Sequence, residues 1–207
     1  MHLHKLIENK NLDFTTTTCE HNLELIKIKD ELYISFMKNY NGGYFYNNSL
    51  LIFGLSNKEE QFNIIHMNNI LNKNYKNIVN NLYFFAQDIF GNLFAFDNKN
   101  IVFFNIETGE REVIADDFKS WLLILYDDLD YYTGESLTEE LKHIEKIQLI
   151  QDKRLCPKYP FVLGGEYEMD NLILKTYIDN ILYNSSIAKQ IDNLPDGSKV
   201  KIIINNE

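Results

Sequence analysis

The sequence predicts an α+β fold: an antiparallel sheet meander with helices packed on one face, followed by a C-terminal α/β extension. Three observations carry that expectation. Between Leu82 and Ala115 lie three short apolar runs, Leu93–Phe96, Ile101–Ile106 and Arg111–Ala115, divided by Asn98-Lys99-Asn100 and by Thr108-Gly109. Gly109 can take the positive φ that a short hairpin loop demands, and connections this short join antiparallel neighbours, because a parallel crossover needs about a dozen residues. On either side of the meander apolar residues recur at helical spacing: Leu32, Phe36, Met37 and Tyr40 before it, Phe118, Trp121, Leu122 and Leu125 after it. Finally, 45% hydrophobic and 14% aromatic residues in a 207-residue chain supply the core of one sizeable domain and exclude disorder.

Taken in order, His2–Asn11 has weak helical spacing through Leu3, Leu6 and Ile7, and Asn11–His21 reads as a linker or irregular strand. Asp30 is placed to N-cap a helix that Asn41-Gly42-Gly43 stops, since glycine accepts the left-handed conformation past a helix end. Tyr44–Tyr46 and Leu50–Leu55 form a hairpin around Asn47-Asn48-Ser49. Ser56 with Glu59 fits a capping box and opens a helical stretch over Lys58–Leu71; the polar Asn72–Asn81 is a loop. After the meander, Asp116 and Asp117 open the Trp121 helix, where carboxylates suit the positive end of the helix dipole. The chain turns through Asp127–Gly134, and Ser136 with Glu139 forms a second capping box before Leu137, Leu141 and Ile144.

Near Lys153 the composition changes. Pro157, Pro160 and Gly164-Gly165 interrupt regular structure, so the chain divides into a domain over 1–152 and an extension over 153–207 that packs on it. In the extension a strand is expected at Asp170–Leu174 and a helix at Tyr177–Ile191, with Ile178, Leu182, Ile187 and Ile191 on one side. A turn at Asp196-Gly197 and a closing strand at Lys199–Ile204 complete it.

The words FFAQDIFGNLFAFD and ETGE, with Asn41-Gly42-Gly43 upstream and Trp121 downstream, resemble the SUKH superfamily, which includes yeast cell-wall-synthesis regulators. PFVLGGEY, IAKQI and LPDG resemble an extension found in part of its bacterial branch, so the likeness runs from Asp30 to Asn205. In that family the first helix is usually preceded by a Leu-Pro pair; Ile28-Lys29 stands there in this chain. Many bacterial members are immunity proteins. The resemblance therefore implies a bacterial protein that binds and neutralises a cognate polymorphic toxin, a nuclease being one such toxin. The alternative it implies is a regulatory protein-binding module without a toxin, as in fungal relatives.

Charge and motif searches agree with a binding protein. The net charge is −10, and Asp116–Asp152, with three bases against ten acids, holds most of it. Nucleic acid, whose phosphates call for Lys and Arg, is not the expected partner; a basic protein partner or plain solubility is. Asp127, Asp128, Asp130, Glu135, Glu139 and Glu140 are the candidate partner-binding residues. As a cation or acid–base group, Asp127, Asp128 and Asp130 are outweighed by a solvated loop, and so are Glu166 and Glu168 near Asp170. Five scattered histidines and the distant Cys19 and Cys156 lack zinc spacing. GxSxG and phosphate-loop patterns are absent. Neither enzyme activity nor a cofactor or metal is expected. No apolar run reaches the ~18 residues of a membrane span, and MHLHKLIENKN lacks a secretory h-region, so the expected location is the cytoplasm. Trp121 reads as core, as do Phe84, Phe85, Phe90, Phe94, Phe96, Phe103 and Phe104, unless several are exposed together as a binding patch.

Overall fold

The computed structural model describes residues 2–12, 26–55, 62–143, 152–195 and 197–201. The elements run α1 (His2–Glu8), β1 (Lys10–Leu12), α2 (Glu31–Tyr40), β2 (Gly43–Phe45), β3 (Leu50–Ile52), α3 (Ile64–Asn74), β4 (Leu82–Gln87), β5 (Leu93–Asp97), β6 (Asn100–Phe104), β7 (Arg111–Ala115), α4 (Phe118–Asp127), α5 (Leu129–Thr133), α6 (Glu135–His143), β8 (Lys153–Pro157), β9 (Leu172–Thr176) and α7 (Tyr177–Ile191). Strands β1 to β7 form one sheet in chain order, every neighbouring pair antiparallel. Strands β8 and β9 pair antiparallel in a second sheet. This is the α+β meander the sequence predicts.

Side-chain alternation explains how the large sheet is covered. Phe85, Phe94 and Phe96 project to one face, where Tyr33 of α2 and Trp121 of α4 meet them at ring distances of 5.0–5.5 Å and Phe118 of α4 meets Phe85 at 6.0 Å. Phe84 and Phe104 project to the other, where Tyr75, just beyond α3, packs edge-on against Phe104 at 5.4 Å. Helices thus cover the expected face, and α3 adds a layer on the second. Asn68 of α3 is its polar anchor: buried, it donates to the Phe84 carbonyl and accepts from the Phe84 N–H, both within 2.9 Å, beside the bulge in β4. Pairing with β3 ends at Ile52–Ala86 and a bond from the Phe53 N–H to the Phe85 carbonyl, and the amide takes up the backbone groups of Phe84 beyond that point.

Helix α2 is fixed at both ends. Asp30 caps it through the Tyr33 N–H at 2.9 Å, and its second oxygen accepts from the Phe118 N–H, also at 2.9 Å, at the first residue of α4. At the other end Asn41 is left-handed and its side chain bonds both Leu55 N–H and Leu55 carbonyl. Gly42, at φ 74°, lets the chain pass where a Cβ would stand 2.5 Å from the Ile52 carbonyl oxygen.

Several local expectations are corrected. Helix α3 begins at Ile64 under an Asn63 cap and runs to Asn74, into the expected loop; Ser56 and Glu59 lie outside the described residues. Residues 129–133 of the expected turn form α5, and Ser136 lies within α6 instead of capping it. Strand β3 stops at Ile52 and β6 at Phe104. Residues 153–157 form β8 despite Pro157, which occupies the last position of a two-stranded ladder, where a missing N–H is tolerated. Strand β9 starts at Leu172, after a 3-10 turn over Met169–Asn171. Helix α7 matches its expected span, but Asn180, Ile181, Asn184, Ile187 and Ala188 are buried while Ile178 and Leu182 are exposed. Cys19, His21, Ile144, Asp196 and the end of the expected closing strand lie outside the described residues. Cys156 is buried and free.

Candidate docking surface

The acidic segment folds into a corner. Asp127 ends α4, and Asp128 caps α5 by accepting from the Tyr131 N–H. Gly134, at φ 70°, then turns the chain against the next layer: a Cβ there would stand 2.6 Å from Ile89 and 3.1 Å from the Phe90 ring. Asp130 spans that turn, accepting from the Ser136 N–H at 2.8 Å. Glu139 accepts a hydrogen bond from the Asn47 amide and so ties α6 to the β2–β3 turn. Burial raises the Glu135 carboxyl pKa, with Glu139 and Asp130 adding to it. Of the six candidates, Asp128, Asp130 and Glu139 therefore hold local structure. Asp127 and Glu140 are exposed, and Glu135 is half-buried.

Sequence reasoning missed the rings beside these carboxylates. Tyr131 is 64% exposed. It lies 5.0 Å from Tyr132 and 6.5 Å from Phe103; Tyr132 in turn reaches Phe94, which abuts Trp121. Across Gly134, Phe90 stands 5.6 Å from Tyr167 and 5.9 Å from Phe161, and those two are stacked at 3.8 Å with an 8° interplanar angle. Tyr167 is 60% exposed. Its phenol pKa is raised, by burial first. Gly134, three residues after Tyr131, stands against the Phe90 ring that Tyr167 meets, so Tyr131 and Tyr167 lie on either side of that contact. Phe90 and Phe103, expected as core, are only half-buried because they underlie these exposed rings. The signal was Tyr131-Tyr132 inside an acidic run.

Beneath the corner lies a buried polar cluster. With the Gln87 amide oxygen turned toward it, Arg154 donates to that oxygen from Nε and Nη2 at 3.0 and 3.1 Å, and from Nη1 to the Lys153 carbonyl. Asp88 accepts from the Phe90 and Asn92 N–H groups and the Asn92 amide. Burial pushes its carboxyl up to about 7, against those donors and Arg154. Glu107, also raised chiefly by burial, accepts from the Phe161 and Val162 N–H groups and so ties the β6–β7 turn to the segment between β8 and β9. Two surface grooves, of about 620 and 430 Å³, are lined by other residues: amides with Lys27 and Tyr83 in the first, and Glu110, Asp192 and Ser198 among apolar side chains in the second. Among the described residues no cluster could hold a metal ion, and no helix is long and apolar enough to cross a membrane.

Residues 20–122 match the sequence model SUKH_6, described as SMI1-KNR4 cell-wall. The chain belongs to the SUKH superfamily. The matched part spans α2, the sheet from β2 to β7 and the first half of α4, so the SUKH core is the aromatic sandwich around Phe85 and Trp121. The acidic corner, Tyr131 and Tyr167 all lie beyond it. SUKH domains are known in toxin immunity and in SMI1-KNR4-like roles, both resting on contact with other proteins. No curated protein sequence matches the chain.

Proposed function

We propose that this SUKH protein is a cytoplasmic immunity protein, which binds a cognate polymorphic toxin and neutralises it by occupying its surface. The observation that carries the reading is the join between a SUKH core and an exposed acidic, ring-bearing corner outside the shared part. Function on a common scaffold lives in what is grafted onto it. We assign the SUKH-like domain to 1–152 and a packed extension to 153–207; the Glu107 bonds to Phe161 and Val162 support that packing. Docking uses the face bearing Asp127, Asp128, Asp130, Glu135, Glu139 and Glu140. A toxin that cuts nucleic acid carries a basic cleft, and an inhibitor of opposite charge gains roughly 10- to 1000-fold in association rate at low salt.

The experiment is co-expression with the product of the adjacent toxin gene, scored as rescue of growth. Asp127→Lys with Glu140→Lys reverses charge at two exposed positions and leaves the bonds of Asp128, Asp130 and Glu139 intact. Rescue by the parent and weakened rescue by this variant support the reading; equal rescue with an unchanged on-rate removes the acidic face from it. The description of the matched family as cell-wall favours a second reading, a regulatory module of cell-wall synthesis. That module would bind a partner without protecting any cell from a toxin.

A further inference from the structure

We infer that the partner docks across the Tyr131–Tyr167 ring track and presents arginine side chains to it. The inference rests on the reading of this chain as a partner-binding protein and specifies the chemistry of the partner's contact segment. The first observation is the rings themselves. Two tyrosines more than half exposed, with Val162, next to Phe161, at 42%, are more large apolar surface than a solvated helix corner requires.

The second observation is their rigidity. Tyr131 is backed by Tyr132 and Phe103, and through Tyr132 by Phe94 in the core. Tyr167 has one face covered by the stacked Phe161. Phe90 is nearly equidistant from both members of that stack, which places it beside their edges and not over a face. Tyr167 is 60% exposed, so more than half of its surface is open to solvent. Rings held this way lose little conformational entropy on binding, which is why tyrosine is common among interface anchors.

Charge selects the occupant. Glu112 pairs across the sheet with Phe103, the ring behind Tyr131. Asp127 and Asp128 precede α5 while Asp130 lies within it, so this end of the surface is bordered by carboxylates. An apolar partner would desolvate these carboxylates without replacing their water. A lysine answers the charge as a point. A guanidinium answers both features: its plane stacks on an aromatic face, and its N–H fork meets a carboxylate in the ring plane. Ring faces bordered by carboxylates fit arginine, carried on a basic loop or strand of a protein.

The test titrates the full chain with octa-arginine, octa-lysine and octa-glutamate peptides, by calorimetry and by amide chemical-shift mapping. Octa-arginine should bind several-fold tighter than octa-lysine, with shifts at residues 128–134 and 161–168, and octa-glutamate should not bind. Tyr131→Ala and Tyr167→Ala should each weaken octa-arginine binding about 2- to 5-fold, the usual effect of one exposed cation–π contact. Tyr131→Phe and Tyr167→Phe should bind as the parent does. Should Tyr167→Ala lose its fold, Tyr131→Ala decides alone, at the more exposed position. Equal binding of the two cationic peptides, or binding indifferent to both alanine variants, overturns the inference. Arginine preference without rescue in co-expression would sink the immunity reading and leave this surface standing; rescue without arginine preference would do the reverse.

Discussion

Asp30 offers the sharpest test of how the helical layer is held on the sheet. One carboxylate caps α2 through the Tyr33 N–H and reaches the Phe118 N–H, 88 residues further on, at the start of α4. Removing a cap costs about 1 kcal/mol, and a hydrogen bond to a charged acceptor contributes about 1.5–3 kcal/mol. Both sites are part-buried, so a combined loss of about 2–4 kcal/mol is expected for Asp30→Ala. In a chain of this length that lowers Tm by roughly 5–15 °C. Asp30→Ser keeps a cap on α2 but cannot span to α4, and should fall about midway. Asp30→Asn retains one acceptor oxygen and turns an amide N–H₂ toward the other donor, so it too should be weaker than the parent. Urea unfolding at neutral pH, followed by Trp121 fluorescence, gives the four stabilities. If Asp30→Ser matches the parent, the bond to Phe118 contributes nothing and the reasoning fails; if Asp30→Ser matches Asp30→Ala, the cap on α2 contributes nothing.

Asn68→Ala should cost about 2–4 kcal/mol by orphaning the Phe84 N–H and carbonyl at the β4 bulge; Asn68→Asp, similar in size but unable to donate, should be no better, and parent-like stability of Asn68→Asp in urea melts would contradict this. The Asp88 pKa is raised on folding from 3.8 to about 7. The folded protein thus holds a proton the unfolded chain has released. Its contribution is full below about pH 4 and falls as pH rises to about 7, by up to about 4 kcal/mol. Asp88→Asn should flatten urea midpoints measured between pH 4.5 and 8, leaving a smaller slope from Glu107 and Glu135; an unchanged slope would show that Asp88 does not titrate in this range. Gly42→Ala should cost more than about 3 kcal/mol, because its Cβ meets the backbone oxygens of Ile52 and Phe53 at 2.5 and 2.8 Å. Gly164→Ala, at positive φ but with nothing within 4 Å, should cost about 1 kcal/mol in the same melts.

What the sequence determined alone is local. The meander is written in the spacing of apolar runs and in Asn98-Lys99 and Thr108-Gly109, because a short loop leaves an antiparallel neighbour as the nearest place for the chain to go. The caps at Asp30 and Asp117, the stop at Asn41-Gly42 and the span of α7 follow from residues within one turn of each other. Where competing local signals met, the reading slipped: α5 hides in five residues between an aspartate and a glycine, and Pro157 masks a strand that needs no N–H at its end. Only the tertiary structure decided which faces meet. Ile178 and Leu182 have the spacing of a core stripe, yet α7 turns Asn180, Asn184 and Ile187 inward, since Asn180 donates to the Phe90 carbonyl. The second oxygen of Asp30 finds Phe118, and Glu107 finds Phe161, across 88 and 54 residues. The candidate docking surface is of this kind. Phe103, Tyr131 and Tyr167 sit on a strand, a short helix and a loop, and no periodicity links them. Tyr131 packs on Tyr132 and Phe103, and Tyr167 on Phe161 and Phe90, an outcome of packing that three separated aromatic residues cannot announce in advance.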